Sequence, residues 1–474
     1  MRTQGIVLDR RSSVPLHRQL ENALRDAILA GTLKAGERIL ASRELQTHLG
    51  LSRNTILTAL GQLQAEGYLV TVPNAGTFVA DVVRSRTTSP DAERSVDDLA
   101  PTSTAQAFID NGSLATNWPL IAPFRPGIPA LDLFPVTLLK RSFSPADWDA
   151  QTLDYPNTFG DVRLREEIAK RVHQTRGIAC SIDDVAVIGG AQAAFALVAA
   201  IVLSRGDAAI VEDPGYPNAR AAFASAGARV TYVPLDESGI DVASFARKRA
   251  KLAYVTPSHQ YPTGAVLSLE RRFALLRWAE QHDAWIVEDD YDSEFNYSGR
   301  VQPALRSLDG GHRVLYVGTF SKVLAPGLRV SYMIVPRELR RALEGALAVT
   351  GAQPSAIVQR ALARFIASGH LGRHIVKMRK IYDERRRYTS AEIQRVLKIP
   401  VIDTQAGLHF VAELPRRLTD TGVSQRAAAK GLLVPALSTY YHTAPRRNGL
   451  LIGYAAFAPA VAKRAIALLA GVTQ

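Results

Sequence analysis

The stretch YVGTFSKVLAPGLRVSYMIVP, residues 316–336, holds one lysine, Lys322, among small, hydroxyl and apolar residues. An apolar, strand-like run at 314–317 and a Gly-Thr-Phe-Ser turn come directly before it. A lysine buried at the end of a strand loses solvation, which lowers the pKa of its amine and favours a Schiff base with a carbonyl cofactor. A lysine that binds a helix C-terminus or forms an ion pair is the alternative that Lys322 alone leaves open.

A carboxylate cluster in WIVEDDYDSEF, residues 285–295, supplies the next candidates. Pyridoxal phosphate needs a carboxylate opposite its pyridinium nitrogen, so that the ring stays protonated and withdraws electrons. It also needs a donor near its phenolic oxygen. Asp289 and Tyr291 are the candidates for these two roles. Tyr216, in EDPGYPNAR, is a candidate for stacking on the ring, and packing of its own loop is the alternative.

A phosphate group requires a separate cup of donors. Gly190, Ala191 and Gln192 form a turn that enters a helix, where backbone N–H groups point at an anion. Three further residues are candidates to complete the cup, and Arg329 among them offers a forked guanidinium. These three are Thr319, Ser321 and Arg329.

Apolar strand-like runs alternate with helical runs from about residue 119 to the end of the chain. The strand-like runs are DVAVIGG, AAIVED, ARVTYVPL, LAYVTP, AWIVEDD and RVLYVGTF. This alternation predicts an α/β fold over residues 119–474, with a mainly parallel central sheet and active residues at the carboxyl ends of the strands. A smaller α+β subdomain is expected after Pro336. The uncharged stretch 186–203 is divided by Gly189, Gly190 and Gln192, which predicts a buried strand, turn and helix rather than a membrane span.

Residues 1–80 have the order of a winged helix-turn-helix: three helical runs followed by a hairpin with a Pro-Asn-Ala-Gly turn. Ser52 is a good N-cap for the third helix, whose first turn is where a recognition helix contacts base edges and phosphates. A small helical dimerisation module is the alternative. The candidate DNA-binding residues are Arg43, Ser52, Arg53, Asn54, Thr55, Gly76 and Thr77.

Composition limits the classes of function. The 474 residues carry a net charge of +13, which favours polyanionic partners, although residues 1–80 contain only 9 Lys and Arg against 6 Asp and Glu. The single cysteine excludes an internal disulfide framework and fits the cytoplasm. Residues 81–118 are polar, rich in Ser, Thr, Asp and Pro, and without sustained periodicity, so they are predicted to form a flexible linker.

With these motifs in order, the chain resembles the MocR subfamily of GntR-family regulators, in which a winged helix-turn-helix is fused to a fold-type I aminotransferase-like domain. The matching motifs include GLSRNTI, FRPGIPALDLFP, DPGYPNAR, TPSHQYPTG, VEDDYDSEFNY, TFSKVLAPGLR and LLIGY. The resemblance implies that Lys322 carries the internal aldimine of pyridoxal 5'-phosphate and that Asp289 pairs with the ring nitrogen. It further implies that Tyr291 bonds the ring hydroxyl, that Arg329 binds the phosphate, and that the chain forms a head-to-tail homodimer.

The chain departs from the transaminase pattern at two positions. Tyr261 replaces the Asn of an NPTG motif that normally donates to the ring oxygen, so Tyr291 and His259 are expected to contribute more there. Leu451 stands where transaminases usually have the arginine that clamps the substrate α-carboxylate. Arg220, Arg446 and Arg447 are the candidates to compensate.

The sequence therefore predicts a cytoplasmic transcriptional regulator that depends on pyridoxal phosphate and binds double-stranded operator DNA. Its effector is expected to be an amino compound or pyridoxal phosphate itself, sensed at the aldimine site without need for turnover. An active aminotransferase with an accessory DNA-binding domain is the competing hypothesis. A regulator whose large domain has lost the cofactor is a third, and Lys322, Asp289, Tyr291 and Arg329 speak against it.

Overall fold

The computed structural model describes residues 8–81, 102–112, 122–155, 157–299, 303–443 and 446–473. The chain divides into two compact units, Met1–Ala100 and Pro101–Gln474. Residues 1–7 of the predicted DNA-binding domain and residues 119–121, 156, 300–302, 444–445 and 474 of the predicted α/β domain lie outside these ranges.

The first unit has the predicted three helices and a two-stranded wing. Its elements are α1 (Leu16–Leu29), α2 (Ser42–Leu49), α3 (Arg53–Ala65), β1 (Leu69–Val72) and β2 (Gly76–Val79). Leu20, Leu24 and Ile28 recur at helical spacing on α1 and are buried, as are Ile56 and Leu63 on α3. These side chains form one apolar core, which sets α1 against α3 and leaves the first turn of α3 exposed.

Helix α4 (Ser103–Gly112) lies inside the stretch 81–118 that was predicted to be a flexible linker, so that prediction is wrong for this part. The Thr102 hydroxyl accepts a hydrogen bond from the backbone N–H of Ala105 (3.2 Å), which is an N-cap. One helical turn later the Gln106 amide donates to the Asp110 carboxylate (2.7 Å). The polar composition concealed these local helix signals. Residues 82–101 and 113–118 of the same stretch lie outside the described residues.

The second unit alternates helices and strands as predicted. Its helices are α5 (Val136–Ser142), α6 (Ala150–Leu153), α7 (Val162–Arg176), α8 (Ala191–Val202), α9 (Pro217–Ser225), α10 (Leu269–Gln281), α11 (Leu305–Asp309), α12 (Arg340–Thr350), α13 (Ala356–Ala367), α14 (His370–Leu397), α15 (Asp420–Ala429) and α16 (Pro459–Thr473). Its strands are β3 (Val185–Ile188), β4 (Ala208–Asp213), β5 (Arg229–Asp236), β6 (Gly239–Ile240), β7 (Leu252–Val255), β8 (Trp285–Asp290), β9 (Val314–Thr319), β10 (Ser331–Ile334), β11 (Val401–Ile402), β12 (His409–Glu413) and β13 (Gly449–Gly453).

Eight of these strands form one mixed sheet in the order β3-β10-β9-β8-β7-β4-β5-β6. Strands β9, β8, β7, β4 and β5 are paired in parallel, while β10 runs antiparallel to both of its neighbours. Every residue of β3 and β7 is buried, as in a sheet covered on both faces. The register pairs Asp289 with Val317 and Asp290 with Gly318, so the carboxyl ends of β8 and β9 are adjacent.

A three-stranded antiparallel sheet, β11-β12-β13, forms the smaller C-terminal part together with the neighbouring helices. This agrees with the predicted α+β subdomain. The apolar stretch 186–203 is divided between β3 and α8, as expected. Within the described residues, no helix is both long enough and apolar enough to cross a bilayer.

Candidate active site and DNA-reading surface

Lys322 lies in the turn that follows β9. Its Nζ donates a hydrogen bond to the carbonyl oxygen of Gly127 (2.8 Å), and Gly127 has a left-handed φ of 70°. Burial lowers the pKa of the Lys322 amine, whereas the nearby carboxylates of Asp292 and Asp289 act in the opposite direction. A lowered pKa increases the fraction of free amine, which is the nucleophilic form. Lys322 is thus placed and tuned as a Schiff-base lysine requires.

Asp289 is buried at the end of β8, next to the Lys322 turn. Burial raises the pKa of its carboxyl to about 7, and a hydrogen bond from the Tyr254 hydroxyl to Oδ2 (2.6 Å) lowers it in part. A cation beside this carboxyl would stabilise the ionised form, and the pyridinium nitrogen of pyridoxal phosphate is such a cation. Tyr254 was not predicted as a site residue. Its position in β7, the strand beside β8, was the available signal.

The carboxylate cluster of β8 is divided between two uses by the alternation of side chains along the strand. Glu288 accepts the backbone N–H groups of Leu305 and Arg306 (2.8 Å each) and so caps the start of α11. Asp290 accepts from the Tyr316 hydroxyl (2.6 Å) and lies 2.7 Å from Nε of Arg176. These two carboxylates maintain the fold, and only Asp289 remains for the site.

Tyr291 and His259, which were predicted separately, are in direct contact. The Tyr291 hydroxyl is 3.0 Å from Nδ1 of His259, and Oδ2 of Asp292 is 2.9 Å from the same nitrogen. The other ring nitrogen, Nε2, lies 3.2 Å from the Thr404 hydroxyl. The structure therefore joins two predicted residues, Tyr291 and His259, with two that the sequence did not single out, Asp292 and Thr404.

The predicted phosphate cup is recognisable at the start of α8. Gly190 occupies the N-cap position with φ 114°, and a Cβ built there would lie 2.8 Å from Nη2 of Arg329. Only glycine therefore allows the Arg329 guanidinium to approach this turn. The first N–H groups of a helix have no partner within the helix, so this end of α8 and the guanidinium together suit a phosphate dianion. The cup fits the phosphate of pyridoxal phosphate.

Ala191 and Gln192 begin the first turn of α8, as predicted. The Gln192 side chain donates from Nε2 to the carbonyl oxygen of Asn218 (2.9 Å). Its Oε1 is buried and has no hydrogen-bond partner among the residues that the structure describes. Burying an acceptor without a hydrogen-bond partner costs free energy. The orphaned oxygen therefore points to a bound group with a hydrogen-bond donor at this position.

Thr319 and Ser321 shape the turn that carries Lys322. The Thr319 hydroxyl accepts the backbone N–H of Ser321 (3.1 Å) and lies 2.8 Å from the Ser331 hydroxyl. Arg329, at the end of the same segment, has the left-handed φ of 53°. The Thr319 hydroxyl therefore accepts from the turn and from the neighbouring strand β10.

Three tyrosine rings lie in contact beside the lysine site. Tyr216 lies at the N-terminus of α9, and the centroid of its ring is 5.5 Å from that of Tyr261. The Tyr261 ring is 5.9 Å from that of Tyr291, and its hydroxyl is 3.2 Å from the hydroxyl of Tyr440. Tyr261 therefore uses its polar atom within the aromatic group, where the Asn of a transaminase would face the cofactor.

Leu451 is completely buried in β13, opposite Val411 of β12. It packs in an apolar cluster with Leu437, against which Tyr261 and Tyr440 also pack. Of the candidate compensating arginines, Arg447 is directed elsewhere, whereas Arg220 lines a small cavity together with Tyr216 and Tyr440. Arg447 donates to the Glu413 carboxylate (2.6 Å), and the guanidinium of Arg220 lies 6.0 Å from the centre of the Tyr232 ring; Arg446 is exposed.

The first turn of α3 presents the predicted DNA-reading residues. The Ser52 hydroxyl accepts the backbone N–H of Thr55 (3.2 Å) and lies 2.8 Å from the Thr55 hydroxyl, so the predicted N-cap is present. Arg53 and Asn54 are exposed, as is Arg43 on α2. An exposed arginine and amide at the start of the second motif helix are arranged as in helix-turn-helix proteins that read the major groove.

An arginine from outside the wing, Arg38, lies against its turn and was not predicted from the sequence. Gly76 has φ 117°, and a Cβ built there would lie 2.7 Å from Nε of Arg38. Arg38 is exposed and pairs with Phe78 of β2 through an isolated β-bridge, and the neighbouring Thr77 hydroxyl is 3.2 Å from that of Thr71. The wing motif has no arginine of its own, but Arg38 brings one to it from the segment before α2.

Comparisons with known proteins agree with both units. Residues 140–467 match the family model "Aminotransferase class I and II", and residues 16–79 match "Bacterial regulatory proteins, gntR family". The chain is 36% identical to the probable rhizopine catabolism regulatory protein MocR of Rhizobium meliloti over 467 residues, which cover 97% of this chain and 94% of that protein. It is 34% identical to the pyridoxine biosynthesis transcriptional regulator PdxR of Corynebacterium glutamicum, over 94% of this chain and 92% of that protein.

The large unit is also similar to solved structures. The kynurenine aminotransferase of Pyrococcus horikoshii, solved in complex with PMP, matches with a TM-score of 0.68 and 26% identity. The match covers 79% of this chain and 95% of the aminotransferase chain. The large unit therefore has the fold-type I aminotransferase fold, with the eight-stranded mixed sheet at its centre.

Proposed function

Because this chain belongs to the MocR-type regulators of the GntR family, we propose that its aminotransferase-like unit senses a small effector at Lys322 and thereby controls DNA binding. The cofactor of this unit is pyridoxal phosphate. When bound, it supplies an aldehyde that condenses reversibly with primary amines and a ring that withdraws electrons. Lys322 would hold its aldehyde carbon, Asp289 its ring nitrogen, and Arg329 with the start of α8 its phosphate.

The Leu451 cluster is the observation that favours sensing over turnover. In a transaminase this position supplies a bidentate partner for the substrate α-carboxylate. An apolar side chain offers no partner, and a carboxylate placed against it would be desolvated without compensation. We therefore infer that the effector is an amino compound that does not depend on a carboxylate clamp here, or pyridoxal phosphate itself.

Signalling requires that the effector bind two arrangements of the protein with different affinity, and it does not require a chemical product. We propose a head-to-tail homodimer as the assembly with these two arrangements. Exposed apolar side chains on the segment between α5 and α7 support an interface there, because such surface is costly in water. They include Trp148 (60% exposed), Leu153 (61%) and Tyr155 (95%).

On double-stranded operator DNA, Arg53 and Asn54 are proposed to contact base edges from the start of α3. Arg43, Ser52 and Thr55 would add backbone contacts near the helix-turn-helix, and Gly76 and Thr77 would do so at the wing tip. Arg38 joins them as a further phosphate contact. The regulator is proposed to act in the cytoplasm, where the operator and the effector are both present.

Two assays on the purified full-length chain, saturated with pyridoxal phosphate, test the proposal. The first adds amino donors with a keto acid and records both the visible spectrum and the products. A change in the spectrum without sustained product supports sensing, whereas continuous product formation supports the competing hypothesis of an active aminotransferase. The second measures retardation of a DNA fragment from upstream of the protein's own gene.

The Arg53→Ala variant provides the specific control for the DNA assay. It should weaken retardation while the visible spectrum stays unchanged, because Arg53 lies in the first unit and Lys322 in the second. Arg277→Ala, at an exposed position of α10, is the matched variant that should leave both measurements unchanged. Wild-type protein that retards no upstream fragment, or that stays colourless with pyridoxal phosphate, would contradict the proposal.

A further inference from the structure

The contacts of His259 determine where the hydrogens lie on its ring and on the Tyr291 hydroxyl. Its Nδ1 lies within hydrogen-bond distance of two oxygens, Oδ2 of Asp292 (2.9 Å) and the Tyr291 hydroxyl (3.0 Å). A carboxylate oxygen offers only lone pairs, so Nδ1 must carry the hydrogen in order to bond Asp292. The Tyr291 oxygen can then only accept from Nδ1–H, because that nitrogen has no free lone pair.

This arrangement leaves the hydrogen of the Tyr291 hydroxyl unused by His259. The result does not depend on the charge of the imidazole, since Nδ1 carries a hydrogen in the protonated ring and in the neutral tautomer that Asp292 selects. The Thr404 hydroxyl, 3.2 Å from Nε2, supports the same tautomer when it donates to that nitrogen. Tyr291 is therefore held as a donor to some other acceptor.

The imidazole is packed too closely to turn and reverse these roles. His259 is only 2% exposed and Asp292 3%. A Cβ built on Gly407, which has φ 74°, would lie 2.3 Å from Cε1 of His259 and 2.4 Å from Oδ2 of Asp292. The backbone at Gly407 thus touches both side chains, and any larger residue there would displace them.

Several titratable groups face this triad from the surrounding elements. The His409 ring of β12 lies 5.4 Å from the His259 ring, and the Tyr261 ring lies 5.9 Å from the Tyr291 ring. Burial raises the pKa of Asp292, and His259 and, to a smaller extent, Lys322 from the turn after β9 oppose this rise. Asp289 and Asp290 complete the charged surroundings from β8.

We propose that His259, held by Asp292, is a positioning residue that fixes the Tyr291 hydroxyl as a hydrogen-bond donor to the phenolic oxygen of bound pyridoxal phosphate. This inference rests on the proposed function, because it requires the cofactor at Lys322. The Asn that performs this task in an NPTG motif is replaced by Tyr261, whose hydroxyl bonds Tyr440 instead. The His259–Tyr291 pair supplies the donor that this replacement removed.

The inference has a spectroscopic consequence. A hydrogen bond donated to the phenolic oxygen makes that oxygen a weaker partner for the proton on the adjacent nitrogen of Lys322, so this proton leaves at lower pH. The visible absorbance of the bound cofactor reports this titration. Removing the Tyr291 hydroxyl should raise the midpoint by about one pH unit, because a hydrogen bond to a charged oxygen contributes roughly one to two units of pKa.

The experiment is a pH titration of the visible absorbance of four proteins loaded with pyridoxal phosphate: wild type, Tyr291→Phe, His259→Phe and the double variant. His259→Phe is expected to raise the midpoint in the same direction as Tyr291→Phe, by about half a unit or more, because the tyrosine is then free to donate to Asp292. The double variant should show no shift beyond that of Tyr291→Phe. A purely structural role of His259 would instead give additive shifts.

Three further variants keep the test decisive. His259→Asn can donate an amide N–H to the Tyr291 oxygen and should return the midpoint towards wild type, so it is the rescue variant. A midpoint in His259→Asn as high as that of Tyr291→Phe would contradict the positioning role. His312→Asn, at an exposed position of the same unit, should leave the midpoint unchanged. Asp292→Asn removes the fixed tautomer, which raises the midpoint, and also a negative charge that favours the protonated Lys322 nitrogen, which lowers it. Its shift should therefore be smaller than that of His259→Phe.

An unchanged midpoint in folded His259→Phe, or additive shifts in the double variant, would overturn the inference. These failures are distinct from a failure of the proposed function. If the wild-type protein shows no visible band with pyridoxal phosphate, the cofactor assignment itself fails. If the band is present but insensitive to His259, only the positioning role is refuted.

Discussion

Two regions beside the same lysine have opposite chemical character. Around Lys322 the chain keeps buried polar groups, among them Asp289 with its pKa raised to about 7. At Leu451 it has an apolar side chain that is completely buried under tyrosine rings. A working transaminase needs charges at both places, one set for the cofactor and one for the substrate carboxylate. This chain retains the first set and has an apolar side chain in place of the second, which is consistent with the proposed sensing role.

The energetic difference explains why each region is stable. A buried carboxyl such as Asp289 is costly unless a cation or a donor offsets the lost hydration, and Tyr254, Lys322 and the bound cofactor can do so. The Leu451 cluster needs no such partner, because burial of apolar surface is itself favourable. The lysine region is therefore expected to gain stability on cofactor binding, whereas the Leu451 region contributes to stability in every state.

The largest effect is expected from replacing Lys322, the candidate attachment point of the cofactor. Lys322→Ala should abolish the visible absorbance that wild-type protein acquires with pyridoxal phosphate, because no other amine replaces the removed nucleophile. Spectra recorded after excess cofactor is removed by gel filtration measure this. Lys251→Ala, at an exposed lysine of the same unit, should leave the absorbance intact. A Lys322→Ala protein with the wild-type spectrum would contradict the assignment.

A substitution in the apolar cluster around Leu451 should change the stability of the fold. Leu451→Ala should lower the free energy of unfolding by about 2–5 kcal/mol, because it leaves a cavity in a fully packed cluster. Leu269→Ala is the matched control, since Leu269 is 49% exposed, and its effect should stay within about 0.5 kcal/mol. Urea unfolding of the two variants gives the comparison. Equal effects would mean that the Leu451 cluster is not part of the core.

Asp289 should make the stability of the cofactor-free protein depend on pH. Its carboxyl holds a proton up to about pH 7 when folded but only to about 3.9 when unfolded, so between these values the folded state binds more protons. The contribution of Asp289 to stability should therefore fall as pH rises through this window, by at most roughly 1.4 kcal/mol per pH unit, while the lowered pKa of buried His409 acts in the opposite direction.

Urea unfolding at several pH values between 5 and 7 measures this dependence. In the Asp289→Asn variant the slope of the free energy of unfolding against pH should lack the contribution of Asp289. Glu212→Gln should remove a second contribution of the same sign, because burial also raises the pKa of Glu212 to about 7. A slope of stability against pH that is the same in Asp289→Asn as in wild type would contradict the prediction.

The smallest effect is expected from the contact between the Tyr261 and Tyr440 hydroxyls, which pack against the Leu451 cluster. Tyr440→Phe removes the 3.2 Å contact with the Tyr261 hydroxyl and should lower the free energy of unfolding by about 1 kcal/mol. The affinity for pyridoxal phosphate should not change, because Tyr440 belongs to the apolar cluster and not to the cofactor cup. A tenfold loss of cofactor affinity in this variant would remove the distinction between the two regions.

The comparison also separates what could be predicted from what could not. The strands β4, β7, β8 and β9 were predictable because buried parallel strands are continuous apolar runs, and the antiparallel edge strand β3 was predictable because it is also a buried apolar run. The winged helix-turn-helix was predictable because its helix spacing and the Ser52 cap are local signals. Helix α4 was missed, since its cap at Thr102 lies within a polar stretch. Arg38 was missed at the wing, because the contact joins residues that are far apart in the chain.

The fold class, the family and the cofactor could be predicted from the amino-acid sequence, because they depend on runs and motifs that are continuous along the chain. The same motifs made Lys322, Asp289 and Arg329 the candidates for holding the cofactor. Only the tertiary structure decided that Asp289 meets Tyr254, that His259 lies between Tyr291 and Asp292, and that Leu451 packs beneath Tyr261. These contacts join different strands and loops, and hydrogen bonds and close packing act over a few ångströms of space rather than over distance in sequence.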